Sequence, residues 1–527
     1  MNSPRLLFLA GCTSWLASLL PVVAAAPATS ATGRPNILFI MVDEMRWNVM
    51  GCAGNPLVST PHLDQLAREG TRFATAYTVA AICTPSRYSA FTSRYAHVHG
   101  STDNSTAPVS GQLFLPALMK HHGYETAISG KLHFLPGEPD YGFDYFWSYQ
   151  TEGPGKLPRW PEYMDAKHGK NSARRVVPDS RPFADDPLGK DYAKLPYPPE
   201  DMQTSWITDR AIEYLGRRDP AKPYFLFVSF LDPHSPSHLS EPYYSMFQKT
   251  DIPLPATFHA GEKAAAGGDN EAGEGKGRHS VSDPRIVRKL TAAYYAKMKL
   301  VDNNIGRLLA ALAQKGQADN TLVIFTADHG NMIGDHNKWF KGVMYEGSSR
   351  IPLLMKAPAN SAYARTFNQG RVVPEIVENI DIMPTVLEMV GRPLPADPGF
   401  QGKSLTRLVA GEDPAWKNIA FSERNTRMVR TERYKLILNP DRRKGASAAD
   451  YELYDLIADP IEAKNLAADP AYAGVLRELQ AKLAVWDADR PPVPRINGVQ
   501  TAWTGSTAAP DPAASSRKKR VRPGAPE

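Results

Sequence analysis

A chain of 527 residues with 42% hydrophobic content, 38 glycines and 46 prolines is too long for one small module and too apolar for a disordered or fibrous protein. It suits a large α/β domain with a smaller one appended. The formal charge of +6 does not mark a nucleic-acid binder: Arg517, Lys518, Lys519, Arg520 and Arg522 against Glu527 place +4 in the last eleven residues, Arg5 adds one, and about +1 remains for the body.

Residues 1–26 read as a signal peptide. Arg5 precedes an apolar run that closes on Val23-Ala24-Ala25-Ala26, small residues that suit a signal peptidase. Gly11, Cys12, Ser14 and Pro21 interrupt the run, which argues against a stable membrane span. A periplasmic or secreted location is expected. Leu9-Ala10-Gly11-Cys12 has the form of a lipoprotein-processing box, with anchoring at Cys12 as the alternative, although the apolar stretch before it is very short. Cys12, Cys52 and Cys83 are the only cysteines. An exported chain of this kind leans on core size and not on disulfides.

The first strand is expected at residues 36–42, an almost wholly apolar run ending at Asp43-Glu44. A helix at 62–69 opens after Thr60-Pro61. Cys83-Thr84-Pro85-Ser86-Arg87 follows, with Pro85 in the first turn of another helix; a third is expected at 112–121. The short run 126–129 leads into Gly130-Lys131-Leu132-His133, and a helix at 206–215 precedes the apolar run 224–230, which ends at Leu231-Asp232-Pro233-His234.

Residues 257–283, rich in glycine, alanine and charge, read as an exposed insertion loop. Residues 288–314 form a long amphipathic helix whose stripe of Leu290, Tyr294, Met298, Val301, Ile305, Leu308 and Leu312 reads as core packing. The run 321–326 ends at Ala327-Asp328-His329, and residues 374–390 carry a helix ended by Gly391. Composition shifts near residue 418. The runs 434–438 and 451–456 alternate like antiparallel strands, and 471–487 reads as an amphipathic helix. After Arg490 the chain is rich in proline, alanine, serine and threonine, the composition of a disordered tail.

Three strand-like runs thus deliver acidic or imidazole groups just past their C-terminal ends, the edge at which open α/β sheets form ligand sites. Asp43 and Asp328 are natural oxygen ligands, and their company with His329 points to a metal site. Each residue also has a plain reading: Asp43 as a turn acid, Cys83 as a core thiol, Lys131 as a solvated lysine, His133 as a loop histidine.

The Cys-x-Pro-Ser-Arg segment and these clusters resemble the type I, formylglycine-dependent sulfatases of the alkaline phosphatase-like superfamily, over about residues 35–489. The resemblance implies a large, mostly parallel mixed sheet flanked by helices at 34–417. A smaller C-terminal α+β domain with an antiparallel sheet follows at 418–489, including the family's Asp-Pro-x-Glu-x-x-Asn-Leu ending at Asp459 to Leu466. A basic tail occupies 490–527.

The resemblance further implies that Cys83 is oxidised to formylglycine by a formylglycine-generating or other sulfatase-maturing enzyme. The hydrated aldehyde then attacks sulfur, and its second hydroxyl lets the sulfate hemiester collapse. Asp43, Glu44, Asp328, His329 and the modified Cys83 would surround one divalent metal, with Glu44 standing where a second Asp is common. Hard oxygen donors and export favour Ca²⁺; the imidazole of His329 keeps Mn²⁺ and Mg²⁺ open. Arg87 would orient the modified residue and His133 would hold one of its hydroxyls. Lys131 and Lys341 would bind sulfate, and His234 would bind it and protonate the leaving oxygen. His238 is the alternative for lining the substrate mouth. Lys338 competes locally with Lys341, but the family's Trp-x-Lys falls on Trp339-Phe340-Lys341. One departure is Phe91-Thr92-Ser93-Arg94, where the family has Leu-Thr-Gly-Arg; it bears on the efficiency of modification, not on its chemistry.

The expected activity is hydrolysis of aryl or carbohydrate sulfate esters, with a small sulfate ester or sulfated saccharide as partner and no nucleic acid. The nearest rival is a phosphonate monoester or phosphodiester hydrolase on the same fold. A noncatalytic sulfated-glycan binder is a further alternative, opposed by the complete set of candidate residues.

Overall fold

The computed structural model describes residues 33–134, 141–148, 159–177, 191–262, 281–394, 399–439 and 450–493. The expected signal peptide, almost all of the basic tail and most of the insertion loop lie outside the described residues. In chain order the strands are β1 (Asn36–Asp43), β2 (Thr71–Tyr77), β3 (Glu125–Gly130), β4 (Tyr145–Ser148), β5 (Tyr192–Lys194), β6 (Tyr224–Pro233), β7 (Ser237–Leu239), β8 (Thr321–Ala327), β9 (Arg350–Lys356), β10 (Arg371–Glu378), β11 (Ala420–Glu423), β12 (Arg427–Arg430), β13 (Tyr434–Leu438) and β14 (Tyr451–Asp455). The longer helices are α1 (Pro61–Glu69), α2 (Cys83–Thr92), α3 (Leu115–His121), α4 (Trp160–His168), α5 (Gln203–Arg217), α6 (Pro284–Gln314), α7 (Ile382–Met389) and α8 (Ala473–Ala488).

Eight strands form one sheet in the order β10-β2-β9-β8-β1-β6-β3-β4. Only β9 runs antiparallel to its neighbours. The continuous apolarity of β1 has its physical reason here: all eight residues are buried, as a central strand between two parallel neighbours requires. The three apolar runs that end in acids or imidazoles are neighbours at the sheet's centre, β8-β1-β6. Their parallel pairing brings their C-terminal ends to one edge. Helices α5 and α6 pack on β6, and α2 packs against α3 and α7.

Helix α2 has no solvent face; all ten of its residues are buried. Its side chains enter an aromatic cluster in which Phe91 stacks on Phe39 at 5.6 Å and Tyr88 on Phe134 at 4.3 Å. That packing fixes α2 against β1 and sets where Cys83, its first residue, can sit. The helix ends at Ser93, whose φ of 57° is left-handed. A glycine is free to adopt that conformation, which accounts physically for the family's usual residue. Ser93 offsets the cost with its hydroxyl, which donates to the Ile380 carbonyl at 2.9 Å and accepts from the Gly402 N–H at 3.2 Å.

Two expected helices are shorter than their sequence signals. The first part of 374–390 is not helical: Pro374 lies in the edge strand β10, where the register shifts between Val373 and Ile376, and the helix begins only at Ile382. Proline is tolerated at such an edge because no ladder partner needs its missing N–H. The helix expected at 112–121 starts at Leu115 because Phe114 is extended and Pro116 occupies the first turn. Among the described residues no helix is long and apolar enough to cross a membrane.

The second sheet, β11-β12-β13-β14, is wholly antiparallel, and α8 packs on β12 and β13. A buried charge cluster ties this unit to the large sheet. The Lys435 ammonium on β13 lies 2.7 Å from Glu346 and 2.8 Å from Glu462. Tyr77 of β2 donates to Glu346 at 2.6 Å, and the Glu346 N–H donates to Glu462 at 2.7 Å. Replacing Lys435 with Met leaves two carboxylates without their shared cation and is expected to cost about 3–5 kcal/mol. Glu346 keeps Arg350 at 3.1 Å, but Glu462, which burial already raises to about 7 against the pull of Lys435, moves further up in that variant, so the unfolded chain releases its proton first and stability falls as pH rises through that interval. Urea unfolding should therefore show a larger deficit relative to wild type at pH 8 than at pH 5; an equal deficit at both contradicts the ion-pair role.

Candidate active site

The site is built from the ends of β1, β8 and β6. Beyond β1 the backbone turns sharply, with Glu44 at φ 67°. The Glu44 N–H donates to Asp328 Oδ1 at 3.0 Å, and its carbonyl accepts from the Tyr294 hydroxyl on α6 at 2.7 Å. These bonds lock the first acidic pair to the second. The N–H of His329 also donates to Asp328 Oδ1, at 2.9 Å.

Four ligand-type groups meet here: Asp43, Cys83, Asp328 and His329 are all buried, with donor atoms within 4.8 Å of one another. Cys83 Sγ lies 3.1 Å from His329 Nε2 and 3.7 Å from Asp43 Oδ1. His329 Nδ1 donates to the Gly330 carbonyl at 3.0 Å, so in the neutral ring the lone pair on Nε2 faces the cluster. Two carboxylates, one imidazole nitrogen and the end of the Cys83 side chain fit a single divalent cation, with the thiol sulfur marking where an oxygen of the modified residue would stand. Glu44 lies beside this set. Its Oε1 accepts from Asn331 at 2.7 Å, and its Oε2 is 3.4 Å from Lys341 Nζ and 3.5 Å from His234 Nε2.

Cations line the other side. Arg87 donates from Nε to Asp328 at 2.8 Å and from Nη1 to the Lys131 carbonyl at 2.8 Å and to Ser229 at 2.9 Å. Its Nη2 is buried without a hydrogen bond, 3.9 Å from Asp43. Lys131 ion-pairs with Asp43. The preceding Gly130, at φ 111°, is required, because a Cβ there would stand 1.9 Å from the Ser229 carbonyl oxygen. His133 Nδ1 is also buried without a partner. Lys341 Nζ donates to His234 Nε2 at 2.8 Å, while His234 Nδ1 donates to the Ser235 carbonyl at 2.6 Å. Burial lowers the Lys338 ammonium, against the pull of Glu452.

Burial sets the protonation states, and the neighbours decide their direction. Burial pushes the Asp43 carboxyl up, but Lys131, His234, Arg87 and His329 together hold it well below the usual range. Burial and Asp43 likewise raise the Cys83 thiol, yet Lys131, Lys341 and His329 outweigh them and bring it down to about 6. Burial lowers His329, but Asp328 and Cys83 prevail and raise it to about 9. His133 is pushed down to about 3 by burial and by Lys131 and Arg87, so its ring is neutral.

The structure brings all the expected site residues to this one edge and adds others. Asn331 joins Glu44 to the Lys341 loop, its Oδ1 accepting from the Ile333 and Phe340 N–H groups at 2.8 and 3.1 Å. Lys297 on α6 is fully buried. It ion-pairs with Asp232 at 3.1 Å and donates to the carbonyls of His234 at 2.6 Å and Pro236 at 2.7 Å, which holds the histidine loop. Its signal was available: position 297 falls on the apolar stripe, three residues past Tyr294 and four before Val301, where a lysine is out of place. A cavity of about 500 Å³ opens beside His234, walled by Trp160, Tyr197, Met202, Gln203 and His238. Tyr197 Oη and Gln203 Nε2 are buried there without hydrogen bonds.

Comparison with known proteins gives a consistent result. The family model described as Sulfatase matches residues 35–392. That described as N-sulphoglucosamine sulphohydrolase, C-terminal, matches residues 334–489. The chain is 31% identical to an arylsulfatase of Clostridium perfringens over 462 residues, covering 83% of this chain and 91% of that one. It is 29% identical to an N-acetylglucosamine-6-O-sulfatase of Bacteroides thetaiotaomicron, covering 89% of each. Its fold is similar to a phosphonate monoester hydrolase of Agrobacterium radiobacter, with a TM-score of 0.70, 26% identity and coverage of 86% of this chain and 95% of that one.

Asp43→Asn and Asp328→Asn keep shape and remove charge from the ligand set. Each is expected to lower bound divalent metal by about tenfold or more and turnover with it, with the fold retained. Elemental analysis finding full occupancy in both variants would contradict the assignment.

Proposed function

The chain belongs to the sulfatase family of formylglycine-dependent sulfuric ester hydrolases, and from that premise we propose that Cys83 is the residue converted to formylglycine, together with the role of each other site residue and the substrate class. The observation that carries the proposal is the placement of Cys83. It opens a buried helix within hydrogen-bond range of His329, facing two acids on one side and three cations on the other. An aldehyde hydrate there supplies one hydroxyl to take the sulfuryl group and a second through which sulfate is released.

Asp43, Asp328, His329 and the modified residue would hold one divalent metal, with Glu44 an outer contributor. Ca²⁺ is favoured by the oxygen donors. A divalent ion held there would supply Lewis-acid polarisation of a sulfate oxygen and would favour the anionic form of the attacking hydroxyl. Arg87 presents Nη2 to the modified side chain, and His133, neutral with Nδ1 free, accepts from or donates to one of its hydroxyls. Lys131 and Lys341 bind sulfate oxygens. Both are already oriented by Asp43 and Glu44, so little reorganisation is needed as charge shifts toward the leaving oxygen. His234 Nδ1 is tied to the Ser235 carbonyl. The ring nitrogen that can pass a proton to the leaving oxygen is therefore Nε2, which must first be protonated, giving up the hydrogen bond it accepts from Lys341.

The leaving group occupies the cavity beside His234. Its aromatic walls and its two polar atoms without hydrogen bonds suit a ring bearing hydroxyls. An aryl or carbohydrate sulfate is the substrate class, a reading supported by similarity to an arylsulfatase and to an N-acetylglucosamine-6-O-sulfatase. Export is part of the proposal, as is maturation by a formylglycine-generating or other sulfatase-maturing enzyme. The similarity to a phosphonate monoester hydrolase makes phosphonate esters the second reading.

The comparison that separates the two is hydrolysis of p-nitrophenyl sulfate and p-nitrophenyl phenylphosphonate by the same modified enzyme. A higher kcat/KM for the sulfate is expected; a preference for the phosphonate would favour the rival. Cys83→Ser tests the release step. It is expected to liberate about one equivalent of nitrophenol and retain sulfate on residue 83, since serine lacks the second hydroxyl. Sustained turnover by this variant contradicts the mechanism.

A further inference from the structure

Arg424 lies in the turn between β11 and β12, where the small sheet meets the active-site helix. The Glu423 N–H donates to the Val79 carbonyl at 3.0 Å, Glu423 bridges to Ala80, and His97 contacts the Glu423 carboxylate at 2.6 Å. These contacts fix the turn a few residues before Cys83.

The Arg424 side chain is 1% exposed, and Nε, Nη1 and Nη2 are all buried without a hydrogen bond. Other buried arginines differ: Arg87 makes three hydrogen bonds, Arg94 donates to the Pro491 and Pro492 carbonyls, and Arg430 donates to Tyr77. The ion pair of Arg424 with Asp103 spans 3.8 Å, and Asp103 is 35% exposed. A guanidinium out of water is costly unless its donors are used.

Its surroundings place it at the site's rim. Gly342 directly follows Lys341, and a Cβ at Gly342 would stand 2.1 Å from Arg424 Nη1. Only glycine lets the guanidinium lie there. On the other side Asp103 precedes Asn104, whose side chain accepts the Thr84 N–H at 2.9 Å in the first turn of α2. Arg424 thus spans the two loops flanking Cys83. In the sulfatase reading the scissile sulfate already has Lys131, Lys341 and His234 around it, and Arg424 lies against the residue that follows Lys341. Thr426, two residues on, has a buried hydroxyl without a partner.

Resting on the sulfatase reading, we propose that Arg424 recognises a second anionic group on the substrate, a sulfate or carboxylate carried beside the ester that is cleaved. A planar fork of donors matches either group in a bidentate fashion. Asp103 is the partner displaced. It sits at ion-pair and not hydrogen-bond distance, and being partly exposed it returns to water at low cost.

The test uses modified full-length enzyme with p-nitrophenyl sulfate as reporter and three competitors: glucose 6-sulfate, glucose 3,6-disulfate and glucuronate 2-sulfate. Wild type is expected to bind one or both of the doubly anionic competitors about tenfold more tightly than the monosulfate. The disulfate and the uronate arms identify which anion is read. Arg424→Gln should remove most of that preference, Arg424→Lys should restore part of it, and Asp103→Asn should enhance it by freeing the guanidinium. If reporter turnover is lost in a variant, calorimetric titration with the same competitors supplies the ratio. A purely structural Arg424 would shift all three competitors alike, and an unchanged ratio overturns the proposal. So does a change in inhibition by inorganic sulfate alone, which would mean that the guanidinium holds a free anion. Failure of modified wild type to hydrolyse any sulfate ester would instead contradict the sulfatase reading itself.

Discussion

Everything at this site depends on keeping Asp43 ionised while no part of it touches water. Burial alone would protonate the carboxyl, and a neutral acid can neither hold a divalent cation nor orient a lysine. Lys131, Arg87, His234 and His329 reverse that tendency. Their positions are in turn fixed by backbone that cannot move independently: β1 lies between β8 and β6, and Arg87 is bonded both to Asp328 and to the backbone beyond β3. The charges of the site are therefore balanced by the topology of the sheet. This explains why a cluster so costly to bury persists: its members compensate one another, and each is rigid before substrate arrives.

The same logic extends outward. Loops that carry a catalytic side chain need anchors, and here these are buried polar groups on distant elements. Tyr294 and Lys297, one helical turn apart on α6, hold the turn after β1 and the loop after β6. Asn331 fastens the Lys341 loop to Glu44. The small sheet takes part through Lys435 and Glu462, which brace the short helix at Glu346 only a few residues beyond Lys341. The Asp-Pro-x-Glu segment therefore has a physical role: its glutamate, Glu462, caps an element of the large unit from the small one. The appended sheet is part of what shapes the site.

Much of this was legible in the sequence. A strand covered on both faces is almost wholly apolar, which is why β1, β6 and β8 could be read and their polar ends identified. The Cys83 segment and the clusters at Lys131, His234 and Lys341 were readable because each is local. Less visible were features that exist only through contacts distant in sequence. Asn331 looks like any loop asparagine until it meets Glu44, 287 positions away. Lys297 broke an apolar stripe without naming the carbonyls it binds. Pro374 lies in an edge strand whose exposed residues leave no apolar alternation to read. Ser93 was read as a departure from a motif, and only the backbone shows that the residue is a left-handed helix cap with its own compensating hydrogen bonds.

The central claim is that the residue at position 83 does the chemistry only after it has become an aldehyde. Its most direct test is quantitative mass spectrometry of the peptide containing residue 83 in preparations matured to different extents, each paired with its turnover of p-nitrophenyl sulfate. Turnover should rise in proportion to the formylglycine fraction and extrapolate to zero where only thiol is present. Full turnover from a preparation carrying only the Cys83 thiol would contradict the account.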